Sequence, residues 1–413
     1  DLYQLGFGGI LADDMGLGKT IQTLAFLDHL QSKSELGNSM IIVPTSLIYN
    51  WLSELEKFFP KLQIEIYDPK LHPLADPEHQ KQQEGLILCS YGLFQRHGET
   101  FGQHHWNVVI FDEAQNLKNI SSKRCSFARQ LKARSKFCLT GTPMENHFGE
   151  FFSLIDLALP GALGRYGDFM KVYGNDGRKG QGPSIEEVDF LKTKSSPLVL
   201  RRLKEKMLKE LPPKTETLVA LPFERQQKSL YREIALSCNE NVLKSIDQKG
   251  ESQSQLEMLT ALLRLRQVCS WPGALPKVSY KPTPPKVEVL IEQAEALLDQ
   301  GESVLVFTNF LSTLHFIREK FEKHRHTAMV LHGSMNSKER TKVLRDFEHS
   351  NQPNILMMTL KTGGTGLNLT RANHVFHIEP WWNPATENQA TDRAHRMGQS
   401  RHVHVVRFIM EHS

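Results

Sequence analysis

The 413 residues carry 50 Lys and Arg against 46 Asp and Glu, a formal net charge of +4, with 39% hydrophobic and 23% charged residues. That length exceeds one ordinary domain and that composition excludes a disordered chain, so two or three packed domains are expected. The charge permits a polyanionic partner without requiring one. The five cysteines (Cys89, Cys125, Cys138, Cys238 and Cys269) contain no C-x-x-C pair, which argues against a zinc site or disulfide framework and for a reducing compartment, and no apolar run reaches the roughly 18–20 residues of a membrane helix.

Residues 8–20, GGILADDMGLGKT, begin as a short apolar strand and end as a phosphate-binding loop, with Gly18, Lys19 and Thr20 in order. The usual leading glycine is replaced by Asp13. KTIQTLAFLDHL follows with Ile21, Leu24, Leu27 and Leu30 at helical spacing. MIIVP, LQIEIY, LILCSY, NVVIFDE and KFCLTGTP are short apolar runs ending in turn formers, the pattern of strands buried on both faces of a parallel α/β sheet. From about residue 150 the pattern turns helical: EFFSLIDLALPGALG up to Pro160-Gly161, the charged residues 201–210, and residues 224–268. Residues 271–286 are proline-rich and read as a linker. The α/β rhythm then returns with SVLVFTNF, AMVLHG, NILMMTL, HVFHIEP and VHVVRFI as strands. The expected division is a first lobe over residues 1–160, helical insertions and linker over 161–285, and a second lobe over 286–413.

A strand–loop–helix frame places the loop's unpaired N–H groups and the positive end of a helix dipole where phosphate oxygens can sit. Gly16 and Gly18 let the backbone come close, Lys19 suits the β/γ-phosphates and the Thr20 hydroxyl suits Mg²⁺, with Asp14, Met15 and Leu17 completing the loop. NVVIFDEAQ ends a strand in Asp112, within reach of a magnesium shell, and Glu113, placed to activate water for attack on a γ-phosphate. Alone, an acidic strand end is commonplace; with the loop it forms a nucleotide site. In CLTGTPMEN, Thr140 and Thr142 form a hydroxyl-rich turn that reads equally as a phosphate sensor or an ordinary turn. In ENQATDRAHRMGQ, Arg393 and Arg396 share a face if helical, the pattern of a solvated basic helix when taken in isolation.

Taken in order, DDMGLGKT, IIVPTSLIYNW, DEAQNLKN, LTGTPMEN, LLRLRQVC, VLVFTNF, TLKTGGTGLNLT and WWNPATENQATDRAHRMGQ resemble the successive motifs of the Swi2/Snf2 family of DNA-dependent ATPases, within helicase superfamily 2. The resemblance spans nearly the whole chain. It implies two RecA-like parallel-sheet lobes with helical insertions between them, ATP and Mg²⁺ as ligands, and sequence-independent contact with the backbone of double-stranded DNA. Asp13 is the family's usual opening for the loop. Asp112 and Glu113 match the Walker B pair, with Gln115 where the family often has His. Gln389, Arg393 and Arg396 match the motif that supplies arginine fingers. Thr45, Ser46, Asn50 and Trp51 fall in an early DNA-backbone motif; Thr362, Gly363, Gly364 and Thr365 fall in a later one. By residue type alone these two groups read as helix capping and turn chemistry.

The resemblance further implies a monomeric translocase acting on DNA-bound protein complexes, with no membrane role. Short spacers between motifs point to a bacterial cytoplasm or nucleoid, with the nucleus as the alternative. Gln4 stands too near Asp13 to be the family's adenine-recognition glutamine, so that segment, like the C-terminal brace, is expected to lie outside these residues. A strand-separating or RNA-directed helicase and a silent binding scaffold are the competing readings.

Overall fold

Strands that bury both faces must lie in the middle of a layered structure, and they do. The computed structural model describes residues 1–69, 85–144, 147–174, 182–208, 210–249, 251–363 and 367–413. The chain divides into two units, Asp1–Lys209 and Glu210–Ser413.

The first unit runs β1 (Gly9–Leu11), α1 (Lys19–Ser32), β2 (Asn38–Val43), α2 (Ile48–Phe58), β3 (Ile64–Ile66), β4 (Gly85–Ser90), α3 (Tyr91–Arg96), α4 (Gly98–Gln103), β5 (His105–Asp112), α5 (Lys123–Gln130), β6 (Lys132–Leu139), α6 (Phe148–Ala158), α7 (Tyr166–Tyr173), α8 (Ile185–Ser195), β7 (Val199–Leu200) and α9 (Lys204–Met207). Its sheet has the order β3-β4-β2-β5-β6-β1-β7, and every pair is parallel. Alternate residues feed two cores: Met40, Ile42, Val109 and Phe111 on one face, Ile41, Val43, Val108 and Ile110 on the other. Leu24, Leu27 and Leu30 of α1 are buried against the second face, each contributing about 1.5–3 kcal/mol. Because all strands are parallel, the segments after β1, β2, β5 and β6 emerge from the same edge of the sheet. The chain passes from β1 to β2 across two strands that it fills later, which opens a crevice at the strands' carboxyl ends.

The second unit runs β8 (Lys214–Leu221), α10 (Arg225–Lys249), α11 (Glu251–Ser270), α12 (Pro285–Asp299), β9 (Val304–Thr308), α13 (Leu311–Lys323), β10 (Ala328–Leu331), α14 (Ser337–Glu348), β11 (Ile355–Thr359), α15 (Leu360–Gly363), β12 (His374–His377), α16 (Pro384–Thr391) and β13 (Val403–Met410). Its sheet, β10-β11-β9-β12-β13-β8, is also parallel throughout and lies between two apolar clusters. The fold class is therefore the expected one: two α/β units, each built on a parallel sheet.

Three local expectations change. Residues 201–203 are not helical and, among the described residues of 201–210, only Lys204–Met207 form a turn of helix, because the preceding Val199–Leu200 is taken up as a strand beside β1. β8 was not anticipated; its first half, Lys214–Thr217, is polar and its apolar run is only four residues long, and it pairs along its whole length with β13 as an edge strand. The proline-rich residues 271–286 lie within the second unit, where Pro285 opens α12 and Lys286 is buried with Nζ donating to Ile378 O at 3.1 Å.

No described helix is long and apolar enough to cross a membrane. Cys89, Cys125, Cys138 and Cys269 are free thiols, and burial pushes Cys89 and Cys138 up to about 12.

Candidate nucleotide site and nucleic-acid interface

The loop from Ala12 to Gly18 joins the end of β1 to the start of α1. Gly16 (φ 85°) and Gly18 (φ 74°) take left-handed conformations that a side chain would strain, so the glycines here set the path of the loop. Lys19 begins α1 with its Nζ donating to the carbonyls of Asp13 (2.7 Å) and Asp14 (3.3 Å). Thr20 is half-buried one residue on. Met15 lies against Gly141 in the turn after β6, where an added Cβ would meet its Cε at 3.0 Å.

Asp13 is fully buried, and its carboxylate is occupied by Arg202: the Arg202 amide and Nε donate to it at 3.0–3.1 Å and Nη2 completes the pair. Only the backbone of Asp13 is left to face a ligand. Asp14 accepts the Lys204 amide at 3.0 Å. Arg202 was not singled out from the sequence, although an Arg pair directly after the strand-like LVL was there to be read.

β5 carries Asp112 to the same edge. Its Oδ2 accepts the indole Nε1 of Trp51 at 2.8 Å, its Oδ1 accepts the Glu113 amide at 2.9 Å, and its carbonyl accepts the Tyr91 hydroxyl at 2.9 Å. Burial and the neighbouring Glu113 push the Asp112 carboxyl up to about 7, against the opposing pull of these N–H groups and of Lys19. A buried carboxylate of this kind could hold a divalent cation, and the Thr20 hydroxyl could supply the second oxygen type that Mg²⁺ accepts while retaining phosphate and water ligands.

Glu113 has φ 50° and ψ 53°, a strained conformation for a residue with a side chain, which breaks the strand immediately after Asp112. The turn is held by Asn116, whose amide and Nδ2 donate to the Glu113 carbonyl at 3.0 and 2.9 Å. Gln115 Nε2 donates to Glu113 Oε2 at 2.7 Å while its Oε1 accepts the Thr140 hydroxyl at 3.1 Å. Thr140 Oγ1 in turn accepts the Thr142 amide at 3.1 Å. Glutamine can do this because its amide has both a donor and an acceptor. One continuous run of hydrogen bonds thus links the acidic strand end to the turn after β6.

After β2, Thr45 is exposed and Ser46 half-buried on a 3₁₀ turn, and Asn50 donates to Glu54 at 3.1 Å along α2. Trp51 is corrected: it is fully buried, and its indole orients Asp112 instead of facing nucleic acid. The amphipathic spacing of α2 turns this one position into the core, where the N–H needs the acceptor that Asp112 provides.

In the second unit, Thr362 is buried, its hydroxyl 2.8 Å from that of Thr359, and Gly363 ends α15; Gly364 and Thr365 lie outside the described residues. Gln389 is half-buried within α16. Arg393 and Arg396 do not share a helical face, because α16 ends at Thr391 and both lie in the turns beyond it. Gln399 holds those turns off the helical path by donating to the carbonyls of Thr370, Ala372 and Ala394 at 3.0–3.1 Å. Arg393 is buried, and Arg396 Nη1 donates to Leu367 O at 3.2 Å. Glu379, at the end of β12, is buried with bonds from Ser270, Thr308 and the Asn309 amide. Beyond it Arg266 stacks over Trp381 and Trp382 at 4.9 and 5.0 Å.

A glycine-bent loop at a helix start, a buried acid at the end of β5 on the same edge of the sheet and a second parallel α/β unit define a phosphate-loop protein of the helicase class. The chain matches the SNF2-related domain over residues 1–274 and the Helicase conserved C-terminal domain over residues 285–398. It is 36% identical over 417 residues to the Bacillus subtilis helicase/translocase YwqA, covering 99% of this chain and 44% of that protein. It is 30% identical over 430 residues to the human SWI/SNF-related matrix-associated actin-dependent regulator of chromatin subfamily A member 1, covering all of this chain and 40% of that one. The solved Sulfolobus solfataricus SWI2/SNF2 ATPase core in complex with dsDNA is 32% identical and aligns over 99% of this chain and 84% of that one, with a TM-score of 0.48. The chain belongs to the SNF2 family, and it spans less than half the length of the curated relatives above.

Proposed function

We propose that this chain is an ATP-driven translocase on double-stranded DNA, using hydrolysis to move along the backbone and displace bound proteins. The observation that carries the reading is the hydrogen-bonded run from Asp112 through Glu113 and Gln115 to Thr140 and Thr142, at the same sheet edge as the phosphate loop. It offers a route by which the state of the γ-phosphate alters the strand ends around it.

ATP would lie over the loop, its phosphates held by backbone N–H groups and the start of α1. Lys19 would exchange the Asp13 and Asp14 carbonyls for β/γ-phosphate oxygens. Thr20 and Asp112 would hold Mg²⁺, which supplies charge neutralisation on the phosphates when bound. Glu113, fixed by Gln115, would orient the attacking water and accept its proton. Arg393 and Arg396, with Gln389 leading their motif, are assigned the positive charge that stabilises the transferred phosphoryl group.

Thr45, Ser46 and Asn50 in the first unit, and the segment from Thr362 in the second, are assigned to the DNA backbone. Short hydroxyls and backbone N–H groups hold phosphates but do not read base edges, so binding would be sequence-independent and salt-sensitive. A monomer in a bacterial nucleoid, acting on DNA-bound protein complexes, is the setting this reading favours.

ATP hydrolysis measured with duplex DNA, single-stranded DNA and RNA tests it, together with displacement of a third strand from a duplex. The expected result is strongest stimulation by duplex and displacement without strand separation. Strongest stimulation by RNA, or unwinding of the duplex, would overturn the translocase reading.

A further inference from the structure

Asp13 stands where the phosphate loop leaves the sheet, and none of its side chain is exposed. A carboxylate taken wholly out of water needs a hydrogen-bonded cation. Arg202 supplies it from 189 residues away with three of its N–H groups, counting the backbone amide. Its Nη2 also donates to Gln22 Oε1, while Gln22 Nε2 donates to Leu17 O at 2.9 Å. One guanidinium therefore grips the loop at its first residue and, through the first turn of α1, near its last. A backbone ladder runs beside this contact: the Ile10, Ala12 and Asp14 amides donate to the carbonyls of Leu198, Leu200 and Arg202 at 2.7, 2.7 and 3.0 Å. The Lys204 amide closes it on the Asp14 carboxylate. Lys19 rests on the carbonyls of the same two aspartates.

We propose that Arg202 is a positioning residue for the phosphate loop, and that its grip on Asp13 and Gln22 couples the shape of that loop to the strap 198–204 by which the chain runs on towards the second unit. The proposal rests on the nucleotide reading of the loop given above. Coupling of this kind is reciprocal: nucleotide alters the strap, and a loosened strap weakens nucleotide binding by the same factor. The planar fork of Arg is what allows one side chain to serve two acceptors at once; Lys keeps the charge and loses the fork.

Hydrogen exchange of peptides covering 198–208, with and without ADP and Mg²⁺, tests the coupling in the unaltered chain, and ADP titration of Arg202→Lys tests the positioning. We expect ADP to change exchange in the strap. We expect Arg202→Lys to keep its melting temperature near that of the wild type, to bind ADP about 10-fold more weakly, within the usual span of such couplings, and to lose the strap response while keeping that of α1. Gln22→Ala, which leaves the buried ion pair whole, should show both effects in weaker form and serves if Arg202→Lys fails to fold. Wild-type chain that binds ADP with an unresponsive strap overturns the proposal alone, as do variants that bind ADP like wild type. Wild-type chain that binds no ADP overturns it together with the nucleotide reading.

Discussion

Replacing Trp51 by Phe removes one hydrogen bond while keeping an aromatic ring in the core. The indole Nε1 lies 2.8 Å from Asp112 Oδ2, both groups are buried, and this bond opposes the burial that has pushed the carboxyl up to about 7. A hydrogen bond to a charged group contributes about 1.5–3 kcal/mol, and the smaller ring leaves a cavity worth roughly 1 kcal/mol at ~24 cal/mol per Å³. The stability loss should therefore be about 2.5–4 kcal/mol, part of it specific to the ionised state of Asp112. With that state less favoured, the variant should need more Mg²⁺: a rise of ~10-fold in half-saturating Mg²⁺ corresponds to about 1.4 kcal/mol. The assay is ATP turnover across a Mg²⁺ series at saturating ATP, beside a melting curve. Leu88→Ala is the control, since Leu88 is fully buried in the same cluster but touches no site residue by hydrogen bond; it should lose stability and keep the wild-type Mg²⁺ response. A Trp51→Phe variant with unchanged Mg²⁺ dependence would refute the argument that the indole orients Asp112.

Glu113→Gln should bind ATP and lose turnover by ~10²–10⁴, the range for a positioned general base; wild-type turnover would remove Glu113 from the chemistry. Arg396→Ala should spare ATP binding and cut DNA-stimulated hydrolysis by up to ~10³–10⁵, and normal hydrolysis would show that the arginine assignment is wrong. Burial holds His377 down to about 3 and, with His404 beside it, His374 down to about 4, below the ordinary value of about 6.5 in an unfolded chain. The unfolded state therefore takes up protons first as pH falls, so the stabilisation of the second unit is complete above about pH 6.5 and declines towards pH 4 by about 1.4 kcal/mol per pH unit for each residue. Urea melts of wild type and His377→Gln between pH 7 and 5 check this: the variant's stability should fall less steeply, and equal slopes would exclude His377 as a contributor.

What could be read from the sequence was what periodicity and turn chemistry encode. β2, β5 and β9 are apolar on both faces and stand out, and α1 declares itself through Leu24, Leu27 and Leu30. β7 is two residues long and held by pairing with β1, which no local window reveals. Residues 201–203 carried a helical charge pattern that tertiary pairing overrode. Trp51 was legible as part of a motif but not as a core residue, because an indole serves equally on a surface or buried with one acceptor. Arg393 and Arg396 were legible as a pair; the turns that carry them depend on Gln399, whose three bonds reach back to carbonyls as far away as Thr370.

The substitution of Asp13 for the usual leading glycine follows from the same distinction. A glycine at that position answers a local demand, backbone freedom at the mouth of the loop. Here the demand is already met at Gly16 and Gly18, the residues with φ of 85° and 74°. Position 13 instead lies against residues 198–204, with its own side chain wholly out of water and accepting from the Arg202 amide and from the half-buried Arg202 guanidinium. Glycine would remove both acceptors: an interior amide left unsatisfied costs about 1–3 kcal/mol, and the half-buried guanidinium would lose the pair that fixes it beside the loop. Asparagine would offer a single oxygen to a fork that engages two. The aspartate is thus required by a partner far away in sequence, and its presence within the loop reports the strap that lies beside it.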